Sequence, residues 1–346
     1  MNIKPLDYRD VLKKLPETKH LLLGNGFSIA CDPIFDYGNL FEYVKQNGLS
    51  ENLIKVFEYL GINNFEGVMR LLDDAIWLRG HYKLIYGKRS EFSMEDDLQT
   101  IKEALVKAIA QKHLAHSNLI DRRRRDQCVS FIEPYKTVFT TNYDLLLYWI
   151  ARHGSEKLNE RDGFRASIDD PAAPYLVFHE HLGDQKGILF LHGGLHIYIE
   201  DGEIRKHSWK RTDIPIIELV REGLKRNQYP HFVAEGNPDK KLKQIHSSGY
   251  LTYCLGKLER IQQALVIFGL SLGNSDQHIL NAISDNLLLE RLYIGIFGDP
   301  NDLKNKSIIQ STEYMVHRRK QWLVKMKRGK ELSIEFYNSQ TAHVWD

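Results

Sequence analysis

Four short clusters in the chain carry residue types from which an active site is built. The densest is Thr140-Thr141-Asn142-Tyr143-Asp144, between a β-type run (Thr137 to Phe139) and an apolar, helix-compatible run (Leu145 to Trp149). Asn and Asp favour helix N-caps, but a cap needs one such residue, and this turn offers Thr140, Thr141, Asn142 and Asp144 together. A second cluster, Gly24-Asn25-Gly26-Phe27-Ser28, follows the apolar run His20 to Leu23. Glycines directly after a strand let backbone amides approach a phosphate at the next helix; a tight turn without a ligand is an equal reading of GxGxS. The third, His192-Gly193-Gly194, supplies an imidazole, whose ordinary pKa suits proton transfer at cellular pH. The fourth, Gly269-Leu270-Ser271-Leu272-Gly273, places a hydroxyl between glycines and runs on to Asp276 and His278. Gly298-Asp299-Pro300 is a fifth, sparser cluster.

Each cluster ends a run that reads as a strand. Ala264 to Phe268 has the near-continuous apolar character of a parallel sheet covered on both faces. Gly187 to Leu191, Leu292 to Phe297 and Leu332 to Tyr337 are further strands, Tyr175 to Phe178 another, and a helix is expected from Ser311 to Lys327. Chemistry presented at the carboxyl ends of such strands is the arrangement of an open α/β sheet. Between the first two strand ends, Phe41 to Ala115 is helical: Ser93 reads as an N-cap before Glu95, Asp96 and Asp97, and Leu98, Ile101, Leu105 and Ile109 share one face. One domain over 1–346 is expected, with a sheet core from about 8–40, 131–200 and 260–346. A mainly helical accessory lobe, inserted as 41–130 and 201–259, is expected to cover the site.

Bulk properties narrow the class. A 42% hydrophobic, 27% charged composition excludes wholesale disorder, and a net charge of +2 gives no global pull towards nucleic acid or membrane. Cys31, Cys128 and Cys254 are far apart and cannot supply a four-thiolate zinc site; their odd number fits a reducing compartment. The N-terminus lacks a signal-type apolar core, and no stretch reaches the length of a membrane span, so a cytoplasmic protein is expected. Arg122 to Arg125, flanked by Asp121 and Asp126, reads first as a solvated face.

Two enzyme chemistries compete for the clusters. A serine hydrolase would use Ser271 of GxSxG, with His192-Gly193-Gly194 as an oxyanion loop. Its triad would have to be completed after Ser271, by Asp299 with His317 or His343, and the Gly24 and Asn142 clusters would have no work. The other reading is a resemblance. Gly24-Asn25-Gly26-Phe27-Ser28 resembles the GAGxS loop of sirtuins, Thr140-Thr141-Asn142-Tyr143-Asp144 their TQNxD turn, His192-Gly193 their catalytic His-Gly, and Gly269-Leu270-Ser271-Leu272 their GTSL. The motifs occur in family order and span most of the chain. The sequence departs from sirtuin deacylases in lacking the four-cysteine zinc module and in carrying Thr141 where they have Gln. It is more similar to the zinc-free, bacterial sirtuin-like proteins associated with anti-phage defence.

That resemblance implies a Rossmann-like parallel sheet of sirtuin type and a NAD+ glycohydrolase releasing nicotinamide and ADP-ribose, with NAD+ as substrate and neither zinc nor another metal. It implies that backbone amides of Gly24, Gly26 and Ser28 hold the diphosphate, that Ser271 assists at the phosphates or adenosine ribose, that Asn25, Thr140, Thr141 and Gly269 belong to the NAD+ site, and that Asp299 contacts the adenine ribose. Asp144 would orient the nicotinamide carboxamide, Asn142 would position a water or the ribose hydroxyls at the anomeric carbon, and His192 would be the general base. It further implies a homo-oligomer working with a separately encoded ring ATPase or nucleic-acid-guided partner, for which Arg122 to Arg125 and the basic helix around Arg318, Arg319 and Lys320 are candidate faces. Alternatives are a NAD-dependent deacylase and a non-catalytic NAD or ADP-ribose sensor; the latter needs neither the Asn142 nor the His192 side chain. The His192 and His196 pair suggests a metal but no carboxylate or cysteine joins them at ligand spacing, and His179 and His181 read as structural.

Overall fold

The described residues form twelve strands: β1 (Lys19–Leu23), β2 (Thr137–Thr140), β3 (Glu160–Arg161), β4 (Phe164–Arg165), β5 (Tyr175–Phe178), β6 (Lys186–Phe190), β7 (Gly193–Glu200), β8 (Glu203–His207), β9 (Pro230–Phe232), β10 (Gln263–Phe268), β11 (Leu289–Ile296) and β12 (Ser333–Asn338). This computed structural model describes residues 4–82, 93–180, 185–234 and 236–346, so His181 and Glu235 lie outside the described residues. Seven strands form one sheet in the order β12-β11-β10-β1-β2-β6-β3, every neighbour parallel. Read from β6 through β2, β1, β10, β11 to β12, this is the doubly wound order in which the chain leaves the first strand in both directions, and the fold is Rossmann-like α/β. Its switch point lies between β1 and β10.

The sheet's central strands are buried on both faces, which explains their unbroken apolar runs: Leu21, Leu22, Val138, Phe139, Leu265 and Val266 are all fully buried. Between β1 and β2 the chain forms helices Tyr37–Gln46, Glu51–Leu60, Phe65–His81 and Met94–Lys112, as expected for this stretch. Ser93 accepts from Asp96 N–H as the N-cap, and Ile101, Leu105 and Ile109 are buried. The C-terminal helix, Leu303–Met326, starts ahead of the expected Ser311.

A second, antiparallel sheet, β4-β5-β8-β7-β9, was not expected. Residues from 131–200 supply β4, β5 and β7 to it, and 201–259 supplies β8 and β9 alongside its helices. The physical reason is at His192: two residues separate β6 from β7, far too few for the crossover that a parallel neighbour requires. The chain instead leaves the first sheet at Gly193, whose φ is +76°. A Cβ there would stand 2.1 Å from the His231 carbonyl oxygen, so glycine also admits β9 alongside.

Two basic segments are less free than their composition implied. Arg319 is fully buried and donates to the carbonyls of Ile283, Ser284, Asn286, Leu289 and Lys330. Arg318 pairs with Asp285, and Arg124 donates to the Cys31 and Trp345 carbonyls. Among the described residues, no helix is long and apolar enough to cross a membrane.

Candidate functional site

β1 is in register with both neighbours, Leu23 lying beside Thr140 on one side and Phe268 on the other. Gly24, Thr141 and Gly269 therefore emerge level at the carboxyl edge. β6 brings Phe190 level with Thr140, and Leu191 N–H donates to the Thr140 carbonyl at 2.8 Å, which delivers His192 to the same edge. The four clusters are thus gathered by strand register alone.

At the switch point the two glycine turns touch backbone to backbone. A Cβ on Gly24 would lie 2.6 Å from the Gly269 carbonyl oxygen, and one on Gly26 2.6 Å from Gly269 Cα. Gly26 N–H donates to the Gly269 carbonyl at 2.8 Å, and Gly24 N–H to that of Phe268 at 2.9 Å. Two amides expected to face a phosphate are therefore engaged within the protein. Asn25 donates through Nδ2 to the Phe35 carbonyl at 3.2 Å.

The Thr140 to Asp144 turn meets Ser28 of the helix Asn25–Cys31 in one buried network. Ser28 Oγ donates to Asp144 Oδ2 at 2.6 Å, and Asn142 Nδ2 donates to Ser28 Oγ at 2.8 Å and to the Gly24 carbonyl at 3.1 Å. Thr140 Oγ1 accepts from Asn142 N–H at 3.0 Å, and Thr141 N–H donates to the Leu23 carbonyl at 3.0 Å. Asp144 Oδ1 also accepts from Leu146 N–H at 2.9 Å, starting the helix Leu146–His153. Burial pushes the Asp144 carboxyl up, and its bonds from Ser28 and Leu146 pull partly the other way. The excess of small polar residues in this turn is used for mutual hydrogen bonding as well as capping.

Beside this network lies a second buried cluster, built on His192. Its Nε2 is 2.8 Å from Nε2 of His278, so one ring donates to the other. Asp276 Oδ1 stands 3.9 Å from His192 Nε2 and accepts from Lys241 Nζ at 3.4 Å. Lys241, fully buried on the helix Pro238–His246, donates also to Glu66 Oε2 at 3.1 Å. Tyr143 O–H points at Glu66 Oε1 (3.2 Å) and the Val233 carbonyl (3.0 Å), and its ring centroid is 6.5 Å from that of His192. Burial drives the His192 pKa well below its ordinary value, helped by the Lys241 charge and by His278; burial likewise brings His278 down to about 4, although Asp276 acts the other way. The expectation of a near-neutral pKa for His192 is corrected: burial holds the ring well below its ordinary value. Burial would discharge Lys241, but the Glu66 and Asp276 carboxylates hold its pKa above the ordinary lysine value.

Glu66 and Lys241 were missed in the sequence. The available signal was faint: Lys241 lies four residues before Ile245, on the buried face of its helix. Ring nitrogens of His192 and His278 and a carboxylate oxygen of Asp276 lie within 4.8 Å of one another, a spacing a metal ion can span. The arrangement suits an ammonium better. Asp276 Oδ1 is already held by Lys241, and among the described residues His278 Nδ1 lacks the outer hydrogen-bond partner that metal-binding histidines use.

Several singled-out residues stand outside these clusters. Ser271 is exposed, and the left-handed residues of its turn are Gly269 (φ +70°) and Leu272 (φ +52°), not the serine as a nucleophile elbow requires. Asp299 is exposed and accepts from Asn301; His317 contacts Gln321 and His343 contacts Asp346, so these groups form no triad with Ser271. His196 is fully buried between Tyr148 and Phe190, with burial lowering its pKa to about 3, and is core rather than a partner of His192. His179 donates its backbone N–H to the Gly163 carbonyl.

The two buried clusters draw on residues from Gly24 to His278, so the site is a property of nearly the whole chain and not of a short module. No curated protein sequence matches the chain. A family profile covers the same span: residues 21–345 match the family described as a domain of unknown function, DUF4917, and the chain belongs to that family.

Proposed function

We propose that this protein is a NAD+ glycohydrolase of sirtuin-like type, cleaving NAD+ to nicotinamide and ADP-ribose. The observation that carries the reading is the convergence of Ser28, Asn142, Asp144 and His192 at the carboxyl edge of one parallel sheet, beside its switch point. That crevice is where doubly wound sheets take nucleotides, and the four motifs resemble sirtuin motifs in the same order. Breaking the nicotinamide–ribose bond develops positive charge at the anomeric carbon. Asn142 positions the attacking water, His192 accepts its proton, and Asp144 orients the departing carboxamide. Holding water and leaving group in place supplies much of the rate.

The glycine contact and the depth of the site support a closed resting state. Ser28 is 0%, His192 2% and Asn142 7% exposed. Binding a diphosphate at Gly24 to Ser28 requires the turn to part from the Gly269 carbonyl, so binding is coupled to opening. Such coupling suits an effector kept silent until a partner docks, and we extend the proposal to a homo-oligomer that depletes NAD+ in anti-phage defence.

Mass spectrometry of NAD+ incubated with the protein, with and without candidate activators, tests the reading. Release of nicotinamide and ADP-ribose, lost in folded His192→Ala and Asn142→Ala variants, is the expected result. Consumption of NAD+ only together with an acylated peptide would replace it with deacylation.

A further inference from the structure

Hydrolysis of NAD+, the reading on which this inference rests, leaves one proton per turnover. A water O–H bond breaks as the new C–O bond forms; the glycosidic C–N bond breaks and its electron pair stays on the nicotinamide nitrogen, neutralising the pyridinium. The water proton ends on neither product. His192 is 2% exposed and cannot hand that proton to bulk water directly.

His278 offers the way out. Its Nε2 is 2.8 Å from His192 Nε2, and its Nδ1 is buried without a hydrogen-bond partner among the described residues. His278 also lines a groove of about 320 Å³, partly open to solvent, together with His246, Glu259 and Asp285. We propose that His278 is a proton relay carrying the hydrolytic proton from His192 to this groove. In the resting tautomers His192 bears its proton on Nε2 and donates it to the bare Nε2 of His278, which bears its own on Nδ1. The water proton bonds to His192 Nδ1, the Nε2 proton of His192 passes to His278 Nε2, and the Nδ1 proton of His278, buried in the resting structure, leaves to groove water when the site opens to bind. Both rings are then restored to neutrality and return to their starting tautomers by proton exchange.

The groups around the pair favour a positive charge in transit. Glu66 and Asp276 against Lys241 leave one net negative charge beside the rings, and Asp276 Oδ1 lies 3.9 Å from the nitrogen that passes the proton. Tyr143 also faces the cluster, its O–H directed to Glu66; Tyr37 senses the charges of Glu66 and Asp276, and both phenols are held neutral by burial. His246 approaches from the groove side. His278 does not touch the reacting atoms in this scheme; it acts through His192.

Steady-state kinetics of wild-type protein, His278→Ala and His278→Gln on NAD+, with added imidazole, test the relay. The expected result is a kcat lowered roughly a hundredfold in both variants, an unchanged KM, and recovery of most of the kcat by imidazole in His278→Ala alone, where truncation leaves room for it. An unchanged kcat, a loss confined to KM, or no recovery by imidazole would overturn the relay. If either variant fails to fold, imidazole 15N NMR of the wild type decides: one Nε2 protonated and the other bare supports the paired geometry, whereas two protonated Nε2 atoms contradict it. A wild-type protein that leaves NAD+ intact under every activator sinks the hydrolase reading instead, and the same spectrum still judges the pair.

Discussion

His113 links the helical insertion to the site, and its protonation should unlock that link. It follows the helix Met94–Lys112, and its Nε2 accepts from Leu145 N–H at 3.0 Å, at the start of the helix that follows the Asp144 turn. Nδ1 faces the Leu114 carbonyl at 3.0 Å, so the neutral ring carries its proton there. Protonating Nε2 would break the Leu145 bond inside a box formed by Phe35 and Trp149. Burial lowers the pKa from 6.5 to about 4, with the Leu114 carbonyl acting the other way and Arg221 adding to the fall. The unfolded chain takes up this proton near its ordinary pKa and the folded chain only near pH 4. Between those values the unfolded state binds more protons, so stability falls as pH falls; the contribution is whole above about pH 6.5 and gone below about pH 4. At about 1.4 kcal/mol per pH unit, the loss is about 3 kcal/mol. His113→Gln keeps an acceptor for Leu145 and does not titrate. Urea unfolding followed by far-ultraviolet circular dichroism, from about pH 7.5 to about pH 4, should show the wild type losing about 3 kcal/mol relative to this variant. His20 and His207, also lowered to about 4 by burial, are common to both proteins and cancel. Parallel pH profiles would refute a neutral His113 as the acceptor.

Three further perturbations address the site. Gly26→Ala drives a Cβ to within 2.6 Å of Gly269 backbone; a loss of about 3 kcal/mol is expected in thermal unfolding, since backbone cannot move aside as a side chain does, and a near-wild-type melting temperature would contradict the close approach. Lys241→Met leaves buried Asp276 and partly buried Glu66 without their cation and should cost about 3 kcal/mol. Glu66→Gln in the same chain should recover part of that loss, whereas strictly additive effects would show that the three groups are not coupled. Ser271→Ala, at an exposed position, is expected to raise the KM for NAD+ while kcat survives; covalent labelling of Ser271 by a fluorophosphonate would restore the serine-hydrolase alternative.

The sequence by itself determined the sheet and the edge at which chemistry is gathered. Buried parallel strands such as Ala264 to Phe268 announce themselves because both faces are apolar, and turns such as Asn142 to Asp144 because small polar side chains satisfy the backbone where a strand gives way to a helix. Those are local consequences of burial and of unpaired amides, and they are written in consecutive residues. Tertiary structure alone decided the rest. That β7 leaves the parallel sheet depended on there being no room for a crossover after His192. That Gly24, Gly26 and Gly269 serve one another's close approach depended on β1 lying beside β10, which are more than 200 residues apart in the chain. Glu66 and Lys241 carry no signal of a site in their own segments, and Asp276 only that of the motif it extends. They became a triad around the buried Lys241 because three distant elements bring opposite charges together, and no single segment's pattern encodes a partner supplied by another.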